Sequence, residues 1–485
     1  MRQLSKIEFF LIFFLITIAF LIRLYKINIP LADYHSWRQV DTAAVAKNFI
    51  REGKIDLFQP KYDDLSKIPS GRENPNGFRM VEFPLYQALF TQLYLFYPHI
   101  PLEVYARLVS IIFTLLTIVV IYLLVLNNNG SRIAAFFAAL TLAVMPFMVF
   151  FTRVVLPEPM AVSLAVLSIF LLQIYFQRQR GMVAIIFYLL SIVCFGLSLL
   201  VKPTAIFYIF PLIFIFFQSY RYKFFTKFNF YLYFITAILP LILWRLYIER
   251  FPEGIPANQW LITSVNTTEG LKNIFFRPSF FRWIFFERIN NLIFGGYLTF
   301  FFILGIVIKK KSYFFYSLLL TLFSYLFVFQ GGNVQHEYYQ TIIFPILAVF
   351  VGLGVDCLIT AKKFFINRAL LIFLVSLIYF FSFYFAYFRV KDFYSVPNNW
   401  VNIASIIKSL TKKDDLLLTD TNGDTTLLYL SDRRGYPAVY EDIDYFKNLG
   451  VKYFITDKKW VIEIIENERR HKTVFINNEF AIFAL

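Results

Sequence analysis

Two cysteines and four histidines in 485 residues leave little room for thiol or imidazole chemistry. Cys194 and Cys357 both fall inside apolar runs. They supply neither a disulfide framework nor a thiolate metal site, and read as small packing residues. Charge is scarce as well, at 16% of residues against 59% hydrophobic and 21% aromatic. With a mean hydropathy of +0.62, that is more apolar surface than a soluble domain can bury. Glycine-rich phosphate loops, a Ser-His-Asp order, nucleotide-binding fingerprints, internal repeats and low-complexity segments are all missing. The 63 phenylalanines read as lipid-facing filler.

What is there is a polytopic membrane protein, mainly α. Apolar runs of membrane-crossing length, roughly 17–25 residues, extend over Ile7–Tyr25, Val104–Leu126, Ile133–Phe151, Met160–Phe176, Val183–Val201 and Thr204–Phe217. They continue over Phe230–Ile248, Leu292–Ile308, Tyr313–Phe329, Thr341–Ile359 and Ala369–Phe388. The expectation is about eleven transmembrane helices. The first has a basic start but is too long for a signal-peptide core and lacks a small-x-small cleavage site, so it is expected to stay as an anchor.

Lysine and arginine fall on alternate connections: Arg2 and Lys6, Arg132, Arg178 and Arg180, Arg221 with Lys223 and Lys227, Lys309–Lys311, and Lys362 with Lys363 and Arg368. Cytoplasmic loops retain such cations. The N-terminus is therefore expected inside, with the outer loop 26–103, the loop 249–291 and the tail 390–485 on the extracytoplasmic face. The net charge of +16 is mostly these inner-loop cations, so no nucleic-acid partner is implied.

The chain divides into a membrane body, residues 1–389, and a C-terminal domain, residues 390–485. In the tail, Asp415–Asp420 and Val451–Asp457 read as short buried strands, and Asn399–Leu410, Ile443–Leu449 and Trp460–Glu468 as helices. Their alternation predicts a small α/β domain with a partly parallel sheet. In the outer loop, Ala43, Ala46, Phe49 and Ile50 stand at the spacing of an amphipathic helix lying on the membrane surface. A second interfacial helix is expected from Val81-Glu-Phe-Pro-Leu-Tyr onward, with proline near its start.

Charged residues also collect at the outer ends of the spans. Asp33 opens the segment Asp33-Tyr-His-Ser-Trp-Arg-Gln-Val-Asp41; Arg107, Arg153, Glu158 in Leu156-Pro-Glu-Pro, Lys202 in Leu200-Val-Lys-Pro and His336-Glu-Tyr-Tyr339 follow. Acids at membrane depth are costly and mark chemistry more often than filler. Cations and acids from several helices on one side look like the lining of a single pocket.

The order of these features resembles the GT-C class of membrane glycosyltransferases, in particular bacterial relatives of dolichyl-phosphate-mannose protein mannosyltransferases and of the aminoarabinose transferase of lipid A. The resemblance covers about residues 1–388 and rests on motif order. It implies transfer of a sugar from a polyprenyl-phosphate donor to a hydroxyl of an acceptor glycan, lipid or protein, with inversion, in a bacterial plasma membrane. It also implies Asp33 as catalytic base, Glu82 as the acid that holds acceptor or metal, Glu158 at the family's acidic position between the third and fourth spans, and Lys202 against the donor phosphate. The Arg-Tyr pair that some relatives have after the first acid is absent, and Trp37 and Arg38 stand in its place, with Arg38 assigned to the donor phosphate. From their own positions and not from the resemblance, Arg153 reads as a second cation for the donor phosphate and His35 as a substrate contact. His336, Glu337, Tyr338 and Tyr339 would complete the substrate pocket. Asp-Tyr stands where the family often has Asp-Glu. The lack of a nucleotide-binding loop fits a lipid-linked donor.

Plainer roles stay open. Asp33 could cap the following helix, Asp41 could start its own, Glu82 could serve a helix dipole, Lys202 could snorkel, Glu158 could punctuate a turn, and His336 and Glu337 could form a wet loop. No cofactor is certain: clustered carboxylates with His35 or His336 could bind a divalent metal, without a recognisable ligand spacing. A transporter or lipid flippase is the alternative, although those place charges near the midplane and show inverted repeats. The outer tail is expected to recognise the acceptor.

Overall fold

The computed structural model describes residues 4–178, 181–256, 277–361 and 367–485; Arg2, Arg180, Lys362 and Lys363 of the charge pattern lie outside them. The chain forms two compact units: residues 1–25, 108–244 and 258–392, and residues 26–107, 245–257 and 393–485.

The first unit is helical. Among the described residues, seven helical stretches are long and apolar enough to cross a membrane, not eleven: Leu102–Asn129, Glu158–Arg178, Met182–Val201, Pro203–Thr226, Phe228–Ile248, Glu337–Thr360 and Arg368–Leu410. The last owes its apolar character to the helix Arg368–Val390. The other four expected spans are also helical, but each fails for a physical reason. Lys6–Arg23 carries Lys6, Glu8 and Arg23 within its 18 residues. The run Ile133–Phe151 breaks at Pro146 into Arg132–Val144 and Pro146–Phe151. A π-helical stretch, Arg282–Ile293, and two left-handed glycines, Gly295 and Gly296, leave only Leu298–Val307 of the eighth run. The ninth is Phe314–Val328, 15 residues long. The chain is a multi-pass membrane protein.

Glu158–Arg178 and Glu337–Thr360 are central, 83% and 89% buried over their most apolar stretch, whereas Phe228–Ile248 is 22% buried and turns its apolar side chains outward. The central helix Phe344–Thr360 approaches its neighbours through glycine. A methyl group on Gly354 would stand 1.9 Å from the Phe301 carbonyl oxygen, and one on Gly305 1.8 Å from that of Phe350. Small residues of this kind let membrane helices meet backbone to backbone.

The break at Pro146 creates a debt that Arg23 settles. Proline has no N–H for the Leu142 carbonyl four residues earlier, and the extended Met145 interrupts the ladder. The fully buried Arg23 guanidinium donates to the Leu142 carbonyl at 2.9 Å, to that of Ala143 at 2.8 Å and to the Thr152 hydroxyl at 3.0 Å.

The second unit joins the loop 26–103 to the tail. Its five strands, β1 Leu416–Thr419, β2 Gly435–Tyr436, β3 Val451–Thr456, β4 Lys472–Ile476 and β5 Ala481–Ala484, lie in the order β2-β1-β3-β5-β4. The first three are parallel and the last two join antiparallel. Helices Asn398–Leu410, Ile443–Asn448 and Lys459–Glu468 fall close to the sequence expectation, and two apolar clusters, around Leu418 and Phe454 and around Ile407 and Leu417, form the core. The outer loop adds to the sheet edge: Asp64 pairs with Gly435, Leu65 N–H bonds the Gly435 carbonyl at 2.9 Å, and Gly435 N–H bonds that of Asp63 at 2.9 Å. Arg51 completes the junction by pairing with Asp63 and with Asp432.

The two outer-loop helices differ. The first, Ser36–Glu52, is buried at every position from Arg38 to Ala46 and again at Asn48 and Phe49. It is an internal helix rather than one lying on a surface, because it is packed against Leu85–Phe96 and Thr426–Ser431. The second, Leu85–Phe96, buries Tyr86, Gln87, Phe90 and Thr91 and leaves Leu89, Leu93 and Phe96 exposed. Replacing Arg23 with leucine should cost about 2–4 kcal/mol by stranding two buried carbonyls, read as a lower unfolding temperature in detergent. Unchanged stability would show that the carbonyls find other donors.

Candidate functional site

The candidate residues divide between the units. Asp33, His35, Arg38 and Glu82 belong to the second, and Arg153, Glu158, Lys202, His336, Glu337, Tyr338 and Tyr339 to the first.

In the second unit the segment Asp33–Asp41 enters its helix through His35, which takes a left-handed conformation at φ 56° and packs its ring 4.3 Å from that of Tyr34. A non-glycine residue in that region is uncommon and is held there by its surroundings. Tyr34 is held in turn by Phe393, stacked at 4.0 Å, whose carbonyl accepts from Tyr34 N–H at 3.0 Å. The N-cap is thus His35, without a side-chain cap bond. Asp33 does not cap the helix: it is buried, and its Oδ1 accepts from the Gln39 amide at 2.7 Å. The same amide reaches the Tyr34 carbonyl at 3.0 Å, so one side chain fixes both the carboxylate and the turn.

Arg38, in the first turn of the helix Ser36–Glu52, is ion-paired to Glu82, and both are buried. Glu82 precedes the helix Leu85–Phe96, whose N-cap is Pro84, so it sits outside the helix it was expected to start. Asp41 is mid-helix rather than an N-cap. Its Oδ2 meets Arg79 at 3.0 Å and its Oδ1 accepts from the Thr425 hydroxyl at 2.7 Å. Gln39, Arg79 and Thr425 were not singled out in the sequence. Arg79 lies in a polar link without periodicity, and Thr425 is hundreds of residues from Asp41, so no local pattern marks either. Arg107 donates to the carbonyls of Ile27 and Ile29 at 2.7 and 2.6 Å and holds the chain that leads to Asp33.

In the first unit, prolines place the charges. Pro203 disfavours the helical region for the residue before it, so Lys202 leaves the helix Met182–Val201 in an extended conformation, φ −151° and ψ 106°. Glu158, between Pro157 and Pro159, opens the helix Glu158–Arg178, where the dipole favours an acid. The two meet, Lys202 Nζ to Glu158 Oε1 at 2.7 Å, with exposures of 7% and 0% that make this a buried ion pair. The approach lacks hydrogen-bond geometry, and neither Glu158 oxygen accepts a hydrogen bond among the described residues. Lys202 also lies 5.4 Å from the centre of the Tyr339 ring, within cation–π range.

His336 stacks on Tyr338 at 5.3 Å, and the Tyr325 hydroxyl donates to the Tyr339 carbonyl at 2.8 Å. Glu337 is paired at 3.3 Å with Arg288, a residue the sequence did not single out, which also donates to the Val334 carbonyl at 2.6 Å. Arg153 is fully buried in the turn that leads to Glu158. Glu158, Lys202 and Tyr339 thus form one cluster, and Arg288 from the stretch Arg282–Ile293 meets Glu337 at the start of the 3-10 segment Glu337–Ile343, whose N-cap is His336.

Among the described residues no group of three or more histidine, cysteine or carboxylate side chains could hold a metal ion. Asp41, Glu82 and Glu158 each face a cation.

Residues 83–247 match the family model for dolichyl-phosphate-mannose-protein mannosyltransferase. No curated protein sequence matches the chain significantly. Among solved structures, ArnT from Cupriavidus metallidurans bound to undecaprenyl phosphate is similar at 13% identity and TM-score 0.64, over 97% of each chain. The archaeal oligosaccharyltransferase AglB from Archaeoglobus fulgidus, in complex with an inhibitory peptide and a dolichol-phosphate, is similar at 14% identity and TM-score 0.61, over 93% of this chain and 70% of that one. A crystal structure of the A. fulgidus oligosaccharyltransferase in complex with Zn and sulfate is similar at 15% identity and TM-score 0.60, over 91% and 68%.

Two predictions follow from the buried charges. Glu158→Gln should cost about 3–5 kcal/mol by leaving the Lys202 ammonium buried without its counter-charge, and the double variant Glu158→Gln/Lys202→Met should recover most of it; equal stability of single and double variants in thermal unfolding would disprove a coupled pair. Asp64, buried in the outer loop, has its carboxyl raised from 3.8 to about 7, chiefly by burial. A raised carboxyl stabilises the fold in its neutral form. That contribution is complete below pH 3.8 and is lost as pH rises through about 7. Asp64→Asn should flatten this part of the stability-versus-pH profile, and a slope that persists would assign the titration to another group. By its likeness to these solved structures, the chain has the GT-C membrane glycosyltransferase fold.

Proposed function

We propose that the protein is an integral membrane glycosyltransferase that moves a sugar from a polyprenyl-phosphate carrier to the hydroxyl of an acceptor on the extracytoplasmic face, with inversion. The end-to-end structural likeness to ArnT, whose crystal structure is described as bound to undecaprenyl phosphate, carries this reading. The dolichol-phosphate held by the A. fulgidus enzyme points to the same donor class. The alternating cations argue for a cytoplasmic N-terminus and an extracytoplasmic tail.

In this reading Asp33 is the general base. Its carboxylate, oriented by the Gln39 amide, takes the proton of the acceptor hydroxyl as that oxygen forms a bond to the anomeric carbon. The bond from the anomeric carbon to the phosphate oxygen breaks on the opposite face, and the polyprenyl phosphate leaves with the electron pair. Lys202, with Arg153, meets the negative charge that develops on the phosphate, where low dielectric strengthens the attraction. Glu158 holds the Lys202 ammonium in place before the donor arrives. Arg38 and Glu82, already paired, support the acceptor side together with His35. His336, Glu337, Tyr338 and Tyr339 contribute to substrate binding.

Asp33→Asn should lower transfer by about 10²- to 10⁴-fold, the usual contribution of a general base, with folding and donor affinity retained. Lys202→Met should instead weaken donor binding. Both are read as release of polyprenyl phosphate from a lipid-linked sugar, alongside mass spectrometry of envelope glycans in cells with and without the gene. Full activity of Asp33→Asn would sink the assignment, since a carrier or scaffold would tolerate the change.

A further inference from the structure

The second unit contains a cavity that the proposed chemistry does not use. It measures about 330 Å³ and is half open, within the range of about 300–1,000 Å³ typical of small-molecule sites. Its walls come from five separate stretches: the chain at Asn28–Leu31, Lys47 of the helix Ser36–Glu52, the start of the helix Leu102–Asn129, one face of the tail helix Asn398–Leu410, and Tyr429 with Leu430 of the helix Thr426–Ser431. On the helix Asn398–Leu410, Val401, Ala404, Ser405 and Lys408 recur at the spacing of a single face.

The polar groups of the lining are of two kinds. Some are committed. Lys47 Nζ donates to the Tyr429 carbonyl at 2.9 Å, lies 3.6 Å from Asp432 and sits 3.7 Å above the centre of the Tyr429 ring. The Tyr429 hydroxyl donates to Glu103 Oε1 at 2.7 Å. Others are not. Lys408 Nζ and Ser405 Oγ have no hydrogen-bond or ion-pair partner among the described residues, and neither does Glu103 Oε2. One wall therefore offers an ammonium and a hydroxyl, another offers a carboxylate acceptor, and proline and aliphatic groups lie between them.

That combination selects a ligand class. A hydrocarbon would strand the carboxylate and the ammonium. A nucleobase needs an open aromatic face, and Lys47 covers that of Tyr429. A dianionic phosphate would face Glu103 with only one uncommitted ammonium. A polyol offers donors to Glu103, acceptors to Lys408 and Ser405, and C–H faces to the prolines. We infer that this cavity is a saccharide-binding site for one or two sugar rings, with Lys408 admitting a carboxylate-bearing ring. The site is independent of the donor chemistry and is read by binding alone.

The test uses the full chain in detergent with soluble probes and no donor: methyl glucoside, maltose and glucuronate, followed by saturation-transfer NMR and calorimetry. Ser405→Trp fills the cavity from its exposed wall, and Lys408→Glu reverses one charge; circular dichroism confirms that both fold. The expected result is saccharide binding by the wild type, weakened about tenfold or more by Ser405→Trp, and selective loss of glucuronate in Lys408→Glu with the neutral sugars kept. Absence of binding by all three probes, or binding indifferent to Ser405→Trp in the folded variant, would overturn the inference. A glucuronate affinity unchanged in Lys408→Glu would overturn the role given to that lysine.

Discussion

A charge taken out of water must be met by an opposite charge or by several hydrogen bonds, at a cost of several kcal/mol when it is not. This constraint runs through both units. Glu158 meets Lys202, Glu82 meets Arg38, Asp41 meets Arg79, and Arg51 spans Asp63 and Asp432. The groups that the chemistry would use are thus oriented before any substrate arrives. In the proposed reaction, a phosphate approaching Lys202 would meet an ammonium already held by Glu158, and little reorganisation would remain as the leaving group takes up charge.

Backbone breaks supply the second organising element. Proline cannot continue a hydrogen-bond ladder, and each of three proline breaks brings a polar group to a chosen place. Pro203 turns Lys202 out of its helix, Pro157 and Pro159 set Glu158 at a helix start, and Pro146 exposes carbonyls that Arg23 satisfies. The same breaks therefore place polar groups inside an otherwise apolar bundle. The left-handed His35 does comparable work in the second unit, where it redirects the chain between Asp33 and the buried helix.

The class of fold was legible because hydropathy is local and additive. So were the tail strands β1 and β3 and the helix Asn398–Leu410, whose patterns are strong and short in range. The span count was not. A hydropathy run records composition, and Ile133–Phe151 remains apolar across Pro146 although its helix does not. The surface helix failed for a related reason: small apolar residues at Ala43 and Ala46 look the same whether one side or all sides are covered, and here Thr426–Ser431 and Leu85–Phe96 cover the rest. Candidate acids and cations could be picked out by their depth in the chain's apolar context. Their partners could not, since Thr425 and Arg79 stand in segments with no periodic signature.

By itself the sequence determined that this chain is a multi-pass, mainly helical membrane protein with a small sheet-containing tail, and which ionisable residues stand at the ends of its apolar runs. Composition and proline positions suffice for that, since they act on neighbouring residues. Only the tertiary structure decided which charges pair, that Asp33 is held by Gln39 rather than capping a helix, and that the loop between the first two long apolar runs extends the edge of the tail sheet through Asp64 and Gly435. Those outcomes depend on contacts between residues far apart in the chain, whose energies arise only once packing has excluded water.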